Sequence, residues 1–252
     1  MVSYSVANSK IEKLLEVEET SKYLTGNRKV YSFDILSGWS CPYANECLSK
    51  VYNIDGKKKL VDGPNTKFRC FSASQEALYP NVYNKRHRNF TNVRKNIGNP
   101  FNIADMLDDA LPKDAGIIRI HVGGDFFNIN YFMGWLWMAC RRPHNLFYAY
   151  TKSLKYWIDN IDKIPNNFVL TASRGGRLDY LIDDYKLREA VVVFSEEEAK
   201  EKNLEIDHDD SHAADPSKKN KSFALLIHGV QPAGSEASIA LRKLKGKGSY
   251  SR

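Results

Sequence analysis

The stretch that decides the fold is IIRIHVGGDFFNINYFMGWLWMACR, residues 117–141, where an apolar run, a glycine turn and a longer apolar segment follow one another. Ile117–Val122 predicts a buried β-strand, and Tyr131–Arg141 predicts a helix. A strand that leads through a turn into a helix is typical of a β-α-β unit, which needs a parallel neighbouring strand. The next apolar run, Leu146–Thr151, supplies that strand.

The same alternation extends in both directions along the chain. The predicted strands are Lys29–Leu36, Ile117–Val122, Leu146–Thr151, Phe168–Ala172, Ala190–Phe194 and Phe223–His228. The predicted helices are Ile103–Ala110, Tyr131–Arg141, Leu154–Ile161, Leu178–Tyr185, Glu196–Lys202 and Glu236–Leu244. This order predicts a parallel sheet with right-handed crossovers. An open doubly wound sheet and a barrel both satisfy it, and polar residues at the strand ends favour a partial (βα)6 TIM-like barrel.

The 252 residues are consistent with a single α/β barrel-like domain spanning 1–252. Within it we expect an N-terminal extension (1–28), a cysteine-bearing loop insertion (37–100), a polar loop (203–222) and a C-terminal helix with a basic tail (235–252). Hydrophobic residues make up 42% and charged residues 27%, which excludes disordered and coiled-coil classes. No apolar run approaches the roughly 20 residues of a membrane helix, and the polar start lacks a secretory signal, so we expect no membrane partner and a cytoplasmic protein.

The net charge is +7, from 37 Lys and Arg against 30 Asp and Glu, which is compatible with nucleic acid as a partner. Part of the excess lies in a basic tail formed by Arg242, Lys243, Lys245, Lys247 and Arg252. We interpret that tail as a solvated helix end, with contact to an anion as the alternative. Residues 79–94 interleave aromatic and basic side chains, which suits either nucleic acid or an amphipathic helix.

Three of the four cysteines, Cys41, Cys47 and Cys70, fall in one Gly-, Pro-, Ser- and Asn-rich stretch directly after the first predicted strand. Three thiolates at the carboxyl end of a strand can hold an iron–sulfur cluster or a zinc ion. CxxC pairs, common in structural zinc sites, are absent, so a [4Fe–4S] cluster with one open iron fits the three thiolates better. His87 or Cys140 could close a zinc site instead, and ordinary buried cysteines are the remaining alternative.

The second predicted strand ends in Gly123, Gly124 and Asp125, a turn whose glycines permit close approach of a ligand to the backbone. The carboxylate of Asp125 could then accept a ligand ammonium group. The ends of the other strands add candidate catalytic residues, His121, Tyr150, Lys152 and His228, and candidate binding residues, Ser173 and Arg174. The cluster of Asp207, His208, Asp209, Asp210 and His212 contains metal-ligand types, but we interpret it as a solvated, mobile surface loop.

This layout resembles the radical S-adenosylmethionine (radical SAM) enzymes, which are six-stranded partial barrels. The resemblance implies that Cys41, Cys47 and Cys70 bind a [4Fe–4S] cluster and that Gly123, Gly124 and Asp125 hold the amino group of SAM. Ser173 and Arg174 would complete the cofactor site. The family has tighter CxxxCxxC spacing and Glu in place of Asp125.

A closer resemblance covers nearly the whole chain and is to the phage gene product 88 family of uncharacterised proteins. Its segments, in order, are SCPYANEC, RCFSASQE, RIHVGGDFFNINYF, FYAYTKS, TASRGGRLD and LIHGVQPAG. This resemblance implies a viral source and the cytoplasm of an infected host cell.

Two hypotheses of different classes follow. The first is a phage iron–sulfur protein acting as a radical-SAM-like redox or radical enzyme on an unknown small or macromolecular substrate. The second is a non-catalytic phage factor that binds host nucleic acid or protein and carries a structural metal site.

Overall fold

The computed structural model of the chain describes residues 1–7 and 13–244. They form a mainly parallel sheet with helices packed against it, together with a separate two-stranded hairpin. The strands are β1 (Ser5–Val6), β2 (Lys29–Phe33), β3 (Ser49–Ile54), β4 (Lys57–Asp62), β5 (Ala115–Ile120), β6 (Leu146–Thr151), β7 (Phe168–Ser173), β8 (Glu189–Val193), β9 (Glu205–Ile206) and β10 (Phe223–Leu226). The helices are α1 (Glu18–Ser21), α2 (Phe71–Leu78), α3 (Pro80–Lys95), α4 (Pro100–Asp109), α5 (Ile129–Arg141), α6 (Leu154–Ile158), α7 (Tyr180–Tyr185), α8 (Glu196–Glu201), α9 (Ser211–Ala214) and α10 (Glu236–Leu244).

The large sheet has eight strands in the order β1-β2-β5-β6-β7-β8-β10-β9. All neighbouring pairs are parallel except β1 with β2. The six predicted strands therefore lie side by side in sequence order, as expected, and their carboxyl ends share one edge. We call this edge the carboxyl edge. Within the described residues the pairing ends at β1 on one side and at β9 on the other, so a barrel is not shown.

Both faces of the central strands are covered, which explains why their sequences are apolar almost throughout. One face packs against α4 and α5, where Trp135 packs against Phe33 and Phe147 with ring centres 5.3 Å and 6.3 Å apart. The other face, with Ile117 and Tyr148 among its members, packs against α9. Polar groups inside this sheet are therefore exceptions, and they indicate where a functional site lies.

The stretch 37–100 is not one long irregular loop, contrary to the sequence interpretation. It contains the antiparallel hairpin of β3 and β4, followed by α2 and α3. Val51 of β3 is buried in the main core, and Leu60 of β4 packs against the same cluster. Three consecutive lysines, Lys57–Lys59, begin β4 and leave no apolar run there, and only one face of the hairpin is buried, so a search for apolar runs missed it.

The cluster of Asp207, His208, Asp209, Asp210 and His212 is not a solvated surface loop, contrary to the sequence interpretation. The side chains of Asp207 and Asp210 are buried, and α9 packs on the inner strands. Asp207 Oδ2 accepts hydrogen bonds from the backbone N–H groups of His212 and Ala213. A charged segment is buried here because its carboxylates satisfy backbone donors.

Helix α10 matches the predicted helix, but Lys245, Lys247 and Arg252 of the basic tail lie outside the described residues. A search of the described helices finds no span of membrane-crossing length and apolarity.

Candidate functional site

A cavity of about 910 Å³ lies at the carboxyl edge and is enclosed in part by the cysteine-bearing segment. The sequence predicted twelve site residues, which are the three cysteine ligands, the Gly-Gly-Asp turn and six candidates at the strand ends. Eleven of them line the cavity, namely Cys41, Cys47, Cys70, His121, Gly123, Gly124, Asp125, Tyr150, Lys152, Ser173 and His228. The structure thus gathers into one cavity residues that are up to 187 positions apart, 228 − 41, in the sequence. Arg174 does not line it; its guanidinium pairs with Glu189 and, at 2.7 Å, with Asp183.

The three cysteines enter the cavity from the two chain segments that flank the hairpin of β3 and β4. Cys41 lies in the turn after β2, where its Sγ accepts a hydrogen bond from the backbone N–H of Gly38 at 3.3 Å. Cys47 precedes β3, and Cys70 is the residue that caps the N-terminus of α2. None of the three is in a disulfide. The site therefore offers three free sulfur ligands to a common space.

Burial raises the pKa of the Cys41 thiol well above its ordinary value, and the nearby Asp125, Cys70 and Cys47 raise it further. Burial, followed by the proximity of Cys47, raises the pKa of Cys70 to about 12. Neutral thiols are thus favoured while nothing positive is bound. A cationic group in the cavity would reverse this preference, since metal binding releases thiol protons.

Across the described ranges, no group of three or more His, Cys, Asp or Glu side chains is arranged so that it could hold a metal ion. Tetrahedral zinc with bonds of roughly 2.3 Å would need sulfurs only about 3.8 Å apart. In a cluster each thiolate binds a different iron, so the sulfurs stand farther apart.

The two additional ligands considered for zinc do not reach the cysteines. His87 stacks on Tyr83 along α3, with ring centres 5.8 Å apart, and does not line the cavity. Cys140 is exposed near the end of α5. Neither side chain can complete a four-ligand zinc site in this arrangement.

The glycines of the Gly-Gly-Asp turn are required by the protein's own packing. A Cβ on Gly123 would lie 2.2 Å from Ser72 Oγ and 2.9 Å from the Arg86 guanidinium carbon. Gly124 has φ +100°, and a Cβ there would lie 2.4 Å from Ile35 Cγ1. The turn after β5 therefore fits tightly between α2, α3 and the segment after β2, and it forms part of the cavity wall.

Asp125 holds the turn to the end of β6. Its Oδ1 accepts hydrogen bonds from Thr151 Oγ1 at 2.6 Å and from the backbone N–H of Phe126 at 2.7 Å, and its Oδ2 accepts one from the N–H of Lys152 at 2.8 Å. Burial raises its pKa to about 6, against the lowering effect of these bonds. A carboxylate has about four acceptor positions. One acceptor position therefore remains beyond these three bonds.

Lys152 connects the ends of β6 and β7. Its Nζ donates to the Ser173 carbonyl oxygen at 2.7 Å, to Ser173 Oγ at 2.9 Å and to the Arg174 carbonyl oxygen at 2.8 Å. The ammonium group is buried with neutral partners and faces the cavity. It supplies positive charge at the wall while also fixing the loop after β7.

His121 is held in an unusual state beside the turn. Its backbone has φ +68°, a left-handed conformation that costs energy for residues other than glycine. Nε2 pairs with the Tyr131 hydroxyl at 2.8 Å, while the buried Nδ1 has no hydrogen-bond partner within the described residues. Burial lowers the pKa of His121 to about 3. The Nδ1 atom of this neutral imidazole could therefore donate or accept a hydrogen bond to a ligand.

His228 lies on the opposite side of the cavity, after β10. Its ring packs against Phe71 with ring centres 4.5 Å apart, and its Nδ1 lies 3.1 Å from the Leu226 carbonyl oxygen. Phe71 follows Cys70 directly. The loop after β10 is therefore in contact with the cysteine-bearing segment and helps to close the cavity.

Sequence reasoning missed a charged group on the inner face of the sheet. Arg119 of β5 pairs with Asp210 at 2.9 Å, and Asp210 also accepts hydrogen bonds from Tyr148 and Tyr150 of β6. Arg119, Asp210 and Tyr150 line the cavity. The signal was present, because an arginine interrupts an otherwise apolar buried strand.

Asp34 was also missed, although it directly follows β2. Its Oδ1 accepts hydrogen bonds from the backbone N–H groups of Val122 at 2.6 Å and Gly123 at 3.1 Å. Beside it, Arg86 and Glu76 form a buried ion pair at 3.1 Å between α3 and α2. The hydrogen bonds of Asp34 and the neighbouring Arg86–Glu76 ion pair hold the turn after β5 in place.

These features define an α/β protein with a cysteine-lined cavity at the carboxyl edge of a sequentially ordered parallel sheet. The chain belongs to the gene product 88 family, whose model, described as Gene product 88, matches residues 3–244. This confirms the family that the ordered segments indicate. Neither a comparison with curated proteins nor one with solved structures finds a match. The comparisons thus give no support to the resemblance to radical SAM enzymes.

Proposed function

We propose that this protein is an iron–sulfur protein in which Cys41, Cys47 and Cys70 bind a [4Fe–4S] cluster. The single observation that carries the proposal is that three free thiols, from the two chain segments that flank the hairpin of β3 and β4, line one large cavity at the carboxyl edge. Burial raises the pKa values of the Cys41 and Cys70 thiols, so binding of iron would have to release their protons. When bound, such a cluster supplies one-electron chemistry.

We further propose that the protein acts as a radical-SAM-like redox or radical enzyme. The sheet supports this in part, because six parallel strands in sequence order are the arrangement from which a partial barrel is built. Asp125 would accept the ammonium group of SAM on its remaining acceptor position. Tyr150, Lys152 and Ser173 would line the substrate side of the cavity.

The chain's own residues prepare the cavity for such chemistry in three ways. Phe71 and His228 pack together beside Cys70, with ring centres 4.5 Å apart. The buried Lys152 ammonium group favours negative charge on a bound ligand. His121 stays neutral, since burial lowers its pKa to about 3, and it can donate or accept one hydrogen bond at Nδ1 without changing the charge of the site.

Metal and sulfide analysis of anaerobically prepared protein tests the cluster. We expect about four iron and four sulfide per chain. Replacing any one of Cys41, Cys47 or Cys70 by serine should remove most of the iron, because each provides a ligand. The matched control Cys140→Ser removes an exposed thiol and should leave the iron unchanged. Colourless protein with stoichiometric zinc, or iron retained in all three variants, would overturn the proposal.

Calorimetric titration of SAM into the iron-loaded protein then tests the second part. Loss of a charge-assisted hydrogen bond costs about 1.5–3 kcal/mol, so Asp125→Ala should weaken SAM binding roughly 10- to 150-fold at unchanged iron content. If the loaded wild-type protein binds no SAM, the cluster proposal stands and the radical-SAM-like activity is rejected.

A further inference from the structure

The hairpin of β3 and β4 presents an exposed face that the cavity does not use. Side chains alternate along both strands, so the cross-strand pairs Lys50–Val61, Tyr52–Lys59 and Ile54–Lys57 share this outer face. The opposite face carries Val51 and Leu60, which pack on the main core. The outer face therefore combines apolar side chains with three lysines in a small area.

Aromatic rings on this face are exposed and held in position. Trp39 is 42% exposed and Tyr52 is 37% exposed. Their ring centres lie 5.1 Å apart in an edge-to-face arrangement, and Trp39 Nε1 donates to the Val51 carbonyl oxygen at 3.0 Å. The indole is thus fixed by its own hydrogen bond before any ligand arrives, which lowers the entropic cost of stacking.

The charge on the outer face has one sign. Lys50 Nζ lies 4.9 Å from the centre of the Trp39 ring, and Lys59 is directly opposite Tyr52. The hairpin's two acidic residues are Asp55 in the turn and Asp62, whose carboxylate on the other face bonds to Arg69 and Ser49. Anions that approach the outer face therefore meet ammonium groups beside flat, exposed rings.

We propose that the outer face of this hairpin binds single-stranded nucleic acid. Exposed aromatic rings stack on unpaired bases, and adjacent lysines neutralise phosphates; this combination is typical of sequence-tolerant single-strand binding. An acidic peptide would use the lysines but would gain little from the rings. None of the residues on the outer face is a proposed cluster ligand.

The stretch 79–94, which the sequence offered as a nucleic-acid candidate, is less suited to this role. Tyr83 and Phe90 are buried on the inner side of α3, and Arg86 is paired with Glu76. These two aromatics pack beneath a basic helix face, whereas Tyr79, the third aromatic of the stretch, is exposed. Trp39 and Tyr52 differ in that both exposed rings adjoin the lysines of the hairpin.

Fluorescence anisotropy with a short labelled poly-dT oligonucleotide at low salt tests the site. Trp39→Ala and Tyr52→Ala should each weaken binding about 5- to 150-fold, the usual range for loss of one stacked base. The double variant Lys57→Gln/Lys59→Gln should lower the slope of log K against log salt by about 1.4, because two phosphate contacts are lost.

The matched control is Lys113→Gln/Lys186→Gln, which changes the net charge equally at two exposed lysines near the amino ends of β5 and β8. It should retain wild-type affinity. Absence of binding, equal weakening by the control pair, or equal affinity for a polyanion without bases would overturn the proposal. Iron content, measured on the same samples, should not change in any of these variants.

Discussion

At the level of single residues, the glycines of the Gly-Gly-Asp turn can be explained either by ligand access or by packing within the protein. The sequence suggested that the glycines leave space for a ligand. In the structure, the space beside Gly123 is taken by Ser72 and Arg86, and the space beside Gly124 by Ile35 of the same chain. Ligand access and internal packing produce the same sequence pattern, because both require a missing Cβ. Only the surrounding side chains, which come from distant segments, distinguish the two.

Gly124→Ala should therefore destabilise the protein whether or not a ligand binds. The new Cβ would lie 2.4 Å from Ile35 Cγ1 at a φ of +100°, so overpacking of about 1–3 kcal/mol is added to backbone strain. Urea unfolding followed by circular dichroism measures this loss. The control Gly98→Ala has open space around its Cβ and should be neutral or slightly stabilising. Equal stability of the two variants would contradict the packing argument.

At the scale of elements, the sequence predicted best the segments that are buried on both sides. Strand β6 and helix α10 match their predicted bounds, and the other central strands differ by at most a few residues at either end. The hairpin of β3 and β4 was missed because one face is solvated and rich in lysine. Helix α9 was missed because its partners, Asp207 and the inner sheet, lie outside its own sequence window.

The site follows the same rule. Cys41, Asp125 and Lys152 each stand at the end of a predicted strand, so the parallel topology was enough to bring them together. Asp210 could not be assigned to the cavity, because its position depends on a segment that folds back across the sheet. Arg174 was assigned to it wrongly, since ion pairs with Glu189 and Asp183 hold its guanidinium elsewhere.

The segment 203–222 should make a pH-dependent contribution to stability through His212. The neighbouring Asp207 carboxylate, assisted by Glu205, raises the pKa of His212. A raised folded-state pKa gives stabilisation that is complete below the unfolded value near 6.5 and is lost as pH rises through the folded value. His212→Gln should thus cost about 1 kcal/mol at pH roughly 5.5 and little at pH roughly 9.

Urea unfolding at the two pH values measures this difference for His212. The control His144→Gln changes an exposed imidazole before β6 and should show no such pH dependence. A larger cost of His212→Gln at high pH than at low pH would contradict the assigned ion pairs.

At the scale of the whole molecule, the strand order explains why distant residues meet. Each crossover from β5 to β8 places its helix on one face, as Trp135 of α5, Trp157 of α6 and Ile182 of α7 all join the same core cluster. The carboxyl ends of the parallel strands therefore lie at one edge, where residues of several strands line the cavity. The cysteine-bearing segment lies at the same edge and lines the cavity as well.

This two-part construction predicts a local response to metal removal if the cysteines hold a cluster. Cys41, Cys47 and Cys70 would all bind the same cluster. Its loss should therefore lower the local stability of residues 37–78 and leave the core unchanged. Hydrogen exchange on protein before and after iron chelation should show faster exchange in 37–78, with β5, β6 and β7 unchanged, because those strands are buried on both faces. Chelated Cys140→Ser protein should behave as wild type. Unchanged exchange throughout would show that the cysteines hold no structural metal. Uniform loss of protection would show that the sheet is not stable without the cysteine-bearing segment.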